Sequence, residues 1–282
     1  MKPWLILAVV IPGLLATAFV VGNRERSMVE ARAVRQSSAQ SDAQPNDKRS
    51  AVVVELFTSE GCSSCPPADG VLARLEREQP VAGAEILALG EHVDYWNYIG
   101  WADPFSSRSF SERQGAYEEV FGRDGGYTPQ MVVDGRVEFV GSDWNKAMAA
   151  IAQAARAPKA DVQITLARKT AASVSLQARA GALPTATDGG TVDLLLAVTE
   201  SDLSSNVLRG ENAGRRLNHR TVVRRLGLIG SAKAKQGASL SAESTVTVAK
   251  GWKPENLRAV VFLQERKSRR VIGARAVKLA GD

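Results

Sequence analysis

The chain has little of what reactive and stapled centres consume. Its 282 residues include two cysteines and two histidines. Two cysteines exclude a disulfide-rich mini-scaffold. With a single histidine near them, a closed four-ligand zinc site would need an acidic residue as well. The 24 glycines and 11 prolines are too few for a collagen-like or low-complexity chain. Neither a phosphate-binding loop nor a dinucleotide fingerprint occurs. Long apolar runs are confined to the amino terminus, which excludes a multi-span membrane protein. What is present is ordinary for a globular chain, 44% hydrophobic and 23% charged, and this excludes wholesale disorder. The length suits two domains of common size.

Charge is unevenly spread. The net +6 of the whole chain hides an acidic stretch, 50–157, and a basic one, 158–282. At the start, Met1-Lys2 precedes an apolar run from Pro3 to Gly22 that includes Ala16-Thr17-Ala18. A charged start, a short apolar stretch and a small-x-small site describe a secretory signal peptide. The run is also nearly long enough to be kept as a membrane anchor, although Pro12-Gly13 interrupts it. Both readings place the remainder outside the cytoplasm, periplasmic or secreted, and membrane association through residues 1–22 follows if the anchor is kept. Residues 23–49 are polar and without periodicity, as a disordered linker would be.

From 50 to 157 the pattern predicts β-α-β-α-β-β-α. Ala51–Phe57 is a continuous run of strand formers, as in a buried parallel strand. Cys62-Ser63-Ser64-Cys65 then leads into Pro66-Pro67. Those prolines fit only the first turn of a helix, so Cys62 falls at a helix amino terminus. Residues 85–93 form the second strand, followed by an aromatic segment from His92 to Phe105, and Ser109–Phe121 has helical spacing. Asp134-Gly135 between two β runs is a hairpin signal. Asp143 can cap a last helix through Ala155.

Three strings carry a resemblance: VVELFTSEGCSSCPPADG (Val53–Gly70), HVDYW (His92–Trp96) and YTPQMVVDGRVEFVGSD (Tyr127–Asp143). Together they resemble a family of secreted bacterial thioredoxin-like proteins of unknown function. The likeness continues weakly in RGENAGRRLNH, Arg209–His219. It implies a thioredoxin-like fold for 50–157, an envelope location and redox chemistry, and it supplies no substrate. It also implies that Pro129 is cis and faces the two cysteines, with Thr128 docking a substrate strand through its backbone. By the same resemblance Glu55 would be the buried acid that exchanges protons with the second cysteine. A carboxylate in that strand could equally reach the sheet edge or an arginine.

The residues themselves point to thiol chemistry. A thiolate is the attacking species in disulfide exchange, and the unpaired N–H groups at a helix amino terminus favour it. Cys62 is then the nucleophile and Cys65, one turn further in, the resolving thiol. A permanent local disulfide is the alternative, although so short a loop gains little stability by chain entropy. His92, Tyr95 and Trp96 lie at the carboxyl end of the second parallel strand, where α/β sheets place their sites. They are expected to flank Cys62 and contact substrate, His92 aiding proton transfer or being merely hydrogen-bonded.

From 158 onward, alternating runs predict an all-β sandwich-like domain. The arginine-rich segment 206–230 reads as a solvated face or a dock for the acidic half rather than a nucleic-acid site, with binding of anionic lipid or an envelope polymer as the functional alternative. The expectation is therefore an α/β thioredoxin-like domain (50–157) followed by an all-β sandwich-like domain (158–282). The function expected is an envelope thiol–disulfide oxidoreductase-like protein with no cofactor, acting on protein or small-molecule thiols and disulfides. The alternatives are a copper- or metal-handling protein using Cys62, Cys65 and His92, and a binding module with a structural disulfide.

Overall fold

A computed structural model describes residues 49–170, 172–183, 190–235 and 237–280. The expected signal or anchor (1–22) and nearly all of the expected linker (23–49) lie outside these residues. Among the described residues no helix is long and apolar enough to cross a membrane.

The acidic half supplies β1 (Ser50–Thr58), α1 (Cys65–Glu78), β2 (Ala84–His92), α2 (Arg108–Phe121), β3 (Gln130–Val133), β4 (Val137–Val140) and α3 (Trp144–Ala155). The basic half supplies β5 (Val162–Lys169), β6 (Ser173–Ala180), β7 (Thr191–Glu200), β8 (Leu203–Asn206), β9 (Arg216–His219), β10 (Val222–Lys233), β11 (Leu240–Thr247), β12 (Leu257–Glu265) and β13 (Val271–Lys278). The local chemistry of these elements is direct. Pro66 and Pro67 occupy the opening turn of α1, and Cys65, Ala68, Leu72 and Leu75 repeat along its buried stripe. Ser107 caps α2 by accepting from the Ser109 N–H, and Asp143 caps α3 by accepting from the Lys146 N–H. Asp134 and Gly135 both take positive φ at the β3–β4 turn. A Cβ on Gly135 would come within 1.9 Å of the Arg269 carbonyl oxygen, so only glycine fits there.

The expected thioredoxin-like domain followed by a separate all-β sandwich is not what the chain builds. One mixed eight-stranded sheet runs through both halves in the order β13-β12-β7-β10-β2-β1-β3-β4. β1 and β2 are parallel, and β3 and β4 add antiparallel beside β1. The seam is the parallel pairing of β10 with β2 at Val222 and Gly90, where the Gly90 N–H donates to the Thr221 carbonyl at 2.9 Å. A smaller sheet, β11-β6-β5, covers one end of the large one, and β8 and β9 form a separate hairpin. The described residues accordingly form one compact unit.

The core explains why the halves do not separate. Alternate residues of β1 serve opposite faces. Val52, Val54 and Leu56 pack with α1 and α3. On the other side Val53 joins Leu87 and Leu89 of β2, Phe110 of α2, and Val223, Val260 and Phe262 from the basic half. That cluster draws on both halves and belongs to neither. β10 escapes sequence reading because bulges between Val223 and Arg225 and between Leu228 and Gly230 break its alternation.

Candidate functional site

The polypeptide leaves β1 at Thr58 and turns through Ser59–Ser64 before α1 begins. The turn is closed by the Cys62 N–H donating to the Ser59 carbonyl and the Cys65 N–H donating to the Cys62 carbonyl, each at 3.2 Å. Cys62 and Cys65 are joined by a disulfide, and both are fully buried. The Cys62 sulfur has the Ser64 hydroxyl at 3.3 Å and the Thr128 carbonyl oxygen at 3.9 Å. The Thr128–Pro129 peptide is cis. Trp96 donates its indole N–H to the Thr128 hydroxyl at 2.8 Å. Cys62, Cys65, Thr128, Pro129 and Trp96 therefore come together as one group.

Of the remaining expected residues, Tyr95 stands beside Thr128 and α2, whereas Glu55 and His92 point elsewhere. The Tyr95 hydroxyl donates to Gln114 of α2 at 3.0 Å, and burial pushes its pKa up to about 12. Glu55 lies on the α2 side of β1, whereas Cys65 opens α1 on the other. Its carboxylate takes Arg113 Nε at 2.5 Å and the Tyr117 hydroxyl. The structure thus gives Glu55 the arginine partner and does not bring it to the disulfide. Among the described residues no N–H or hydroxyl donates to the carboxyl of Glu91, which lies beside the same Arg113 and against the Glu55 carboxyl.

His92 lies under the turn rather than at the sulfurs. Its Nδ1 is 2.7 Å from Asp103 Oδ2, and that oxygen also accepts the Glu60 N–H at 2.9 Å. Burial alone would lower the His92 pKa, but the Asp103 charge and hydrogen bond, with Asp69 and Glu60, raise it. Glu60 takes the Trp101 indole N–H and His219 Nε2, each at 2.8 Å. Asp69 of α1 accepts from the Thr58 hydroxyl at 2.8 Å. Burial raises the Asp69 pKa, and the histidine charges oppose it. Among the described residues no group of three or more His, Cys, Asp or Glu is arranged to hold a metal ion. His92, committed to Asp103, is not offered to Cys62 as a ligand.

Contacts from the basic half complete the site. Asn212 is fully buried and donates from Nδ2 to the Glu60 and Cys62 carbonyls, each at 2.9 Å. Glu211 accepts the Ser63 N–H at 2.9 Å.

Residues 53–264 match the model of a family described as a protein of unknown function, DUF1223. The chain belongs to the DUF1223 family. No curated protein matches it. Among solved structures it is similar to a protein of Agrobacterium tumefaciens, 26% identical with a TM-score of 0.62, covering 82% of this chain and 95% of that one. It is also similar in fold to HBP35 of Porphyromonas gingivalis, 17% identical with a TM-score of 0.60, covering 82% and 76%.

Sequence reasoning about this DUF1223 protein missed Glu60, Asp69, Asp103, Glu211, Asn212 and His219. For three of them there was a signal. Glu211, Asn212 and His219 all fall within Arg209–His219, the string that extended the family resemblance into the basic half.

Proposed function

We propose that this protein is a thiol–disulfide oxidoreductase of the cell envelope, working through Cys62 and Cys65 on protein or small-molecule thiols and disulfides. One observation carries the reading: the disulfide stands at the start of a 14-residue helix, with the Cys62 sulfur against the Thr128 backbone. The helix amino terminus favours a thiolate at Cys62, and a backbone carbonyl beside the sulfur is where an extended substrate would align. A structural staple gains little from so short a loop. The apolar run 3–22 behind Met1-Lys2 supports export.

The chemistry balances with a dithiol as co-reactant. One substrate thiolate attacks the Cys62 sulfur, the Cys62–Cys65 bond breaks, and Cys65 leaves as a thiolate that takes up a proton. The second substrate thiolate then attacks the substrate sulfur of the mixed disulfide and releases Cys62 as a thiolate. Two electrons pass from substrate to protein, and the reverse sequence oxidises the protein dithiol at the expense of a substrate disulfide. The test is equilibration of the full chain against a series of dithiol–disulfide buffers, followed by alkylation and mass readout. A reversible two-electron transition at Cys62 and Cys65 supports the reading, and a disulfide indifferent to every buffer refutes it.

A further inference from the structure

An exchange-active sulfur has to be approached along the S–S axis, yet Cys62 has 0% exposure. Part of what covers its turn comes from 150 residues away. Residues 207–215, between β8 and β9, lie across the disulfide turn and are held to it by three hydrogen bonds: the two from Asn212 and the one accepted by Glu211. Arg215 fixes Asn212 in place by donating to its Oδ1 at 2.7 Å. The segment is closed on itself. The Val207 N–H donates to the Arg215 carbonyl at 2.9 Å, and the Gly214 N–H donates back to Val207 at 2.8 Å. Its outer side is solvent, with Leu208 74% exposed. Besides those bonds, Val207 is buried and Gly210 lies against Ile99 and Trp101, so lifting the segment also breaks these contacts.

We propose that residues 207–215 are a redox-sensitive gate over the dithiol, with Glu211 as its latch: closed on the disulfide, released by the Cys62 thiolate. This rests on the proposed exchange chemistry and goes beyond it. The Ser63 N–H follows Cys62 directly and precedes the Ser64 cap of α1, so negative charge on either the Glu211 carboxylate or the Cys62 sulfur lies at the positive end of that helix. In the oxidised protein the sulfur is neutral, and the Glu211 carboxylate takes that donor unopposed. After reduction two negative charges compete for one short stretch of backbone. Thiolate formation therefore favours opening, and by linkage closure disfavours the thiolate to the same extent. The other charged groups near the turn are paired or directed elsewhere. Glu60 is bonded to His219 and Trp101, Asp103 to His92, Asp69 to Thr58, and Arg215 to Asn212; Arg209 is exposed on the gate itself. Glu211 is the charge placed to respond.

The test uses the full chain, reduced with a phosphine so that no catalytic turnover is needed. Hydrogen exchange followed by mass spectrometry is compared between the oxidised and reduced protein. Exchange in 207–219 is expected to rise on reduction. The pH profile of Cys62 alkylation is then compared between wild type and Glu211→Gln, an exposed position whose change leaves the fold intact. The midpoint is expected to fall by about half a pH unit in the variant, roughly threefold in thiolate below the midpoint. Unchanged exchange in 207–219 overturns the proposal. So does an alkylation profile that Glu211→Gln does not move, or a disulfide the phosphine cannot reach. A protein inert toward dithiols but responsive in these two measurements would sink the exchange function and leave the gate standing.

Discussion

The rings of His92 and His219 meet edge to face with centroids 5.0 Å apart, one arriving from the end of β2 and the other from the end of β9. They are the only two histidines of the chain. Each is held by a different carboxylate, Asp103 for His92 and Glu60 for His219, and Phe105 lies 5.5 Å from both. The contact joins the floor of the disulfide turn to the strand that carries the gate.

The His92–Asp103 pair makes stability depend on pH from both sides. Burial lowers the His92 pKa but Asp103 outweighs it, so the folded value lies above the ordinary 6.5. That contribution is complete below about 6.5 and fades as pH rises through the folded value. Asp103 is lowered below 3.8: burial opposes the shift, but the His92 charge and hydrogen bond and the Glu60 and Phe105 amides prevail. Its contribution is complete above about 3.8 and fades as pH falls through the folded value. Thermal melts of His92→Gln should lose part of the alkaline decline seen in wild type between about pH 6.5 and 8.5. Parallel wild-type and variant curves over that range would contradict the assignment.

Glu91 gives a second pH effect. Burial, then the charge of Glu55, push its carboxyl well above the ordinary 4.5, and Arg113 only partly opposes them. A raised acid pKa means that stability is lost as pH rises from 4.5 toward the folded value. Glu91→Gln keeps the shape of the protonated acid and does not titrate. The stability difference should therefore move in the variant's favour as pH rises from 5 to about 8. Denaturant melts at several pH values read this directly, and a pH-independent difference would contradict it.

Arg113 is the cation that both buried acids share, with Nε 2.5 Å from Glu55 and 3.6 Å from Glu91. Arg113 also donates to Gln264 and Tyr117, each at 3.1 Å. Arg113→Met leaves the Glu55 carboxylate buried without that cation, and the expected cost is about 3–5 kcal/mol. Urea unfolding of wild type and variant measures it. A loss below about 1 kcal/mol would mean that the cluster relaxes or hydrates.

The seam at Gly90 and Val222 makes the two halves one cooperative unit. The full chain should unfold in one transition, with tryptophan fluorescence and far-ultraviolet dichroism coincident. Residues 50–157 expressed alone would expose Val53, Leu87 and Leu89, and should show no cooperative melt. A well-folded, stable 50–157 fragment would show that the shared core is dispensable.

Much of the acidic half was legible because its signals are local. Pro66-Pro67 marks the start of α1, Asp134-Gly135 marks a turn that needs positive φ, and Asp143 marks a cap. The expected grouping of Cys62 and Cys65 with Thr128 rests on the family resemblance, and that with Trp96 on its place at the carboxyl end of β2; the sheet order that brings β3 beside β1 is the physical reason they meet. The large sheet was not legible. β10 carries two bulges and five basic or glycine residues from Arg224 to Gly230 and Lys233, so neither alternation nor composition marks it as central. Glu55 shows the same limit at one residue. Its burial could be inferred from the strand, but its partner lies 58 positions away on α2. Asn212 and Glu211 lie about 150 positions from the turn they hold, and only the extended family resemblance touched them.

The most direct test of the exchange chemistry is mixed-disulfide trapping. Cys65→Ser leaves Cys62 to attack a substrate disulfide with no partner to resolve the product. Incubated with an aromatic or peptide disulfide and read by intact mass, Cys65→Ser should accumulate a mixed disulfide at Cys62. Reduced wild type should release it and return to the Cys62–Cys65 disulfide, and Cys62→Ser should trap almost nothing. If neither Cys65→Ser nor Cys62→Ser forms an adduct, the pair is a structural bond and the exchange chemistry is contradicted; if Cys65 in Cys62→Ser is the residue that traps, Cys62 is not the nucleophile.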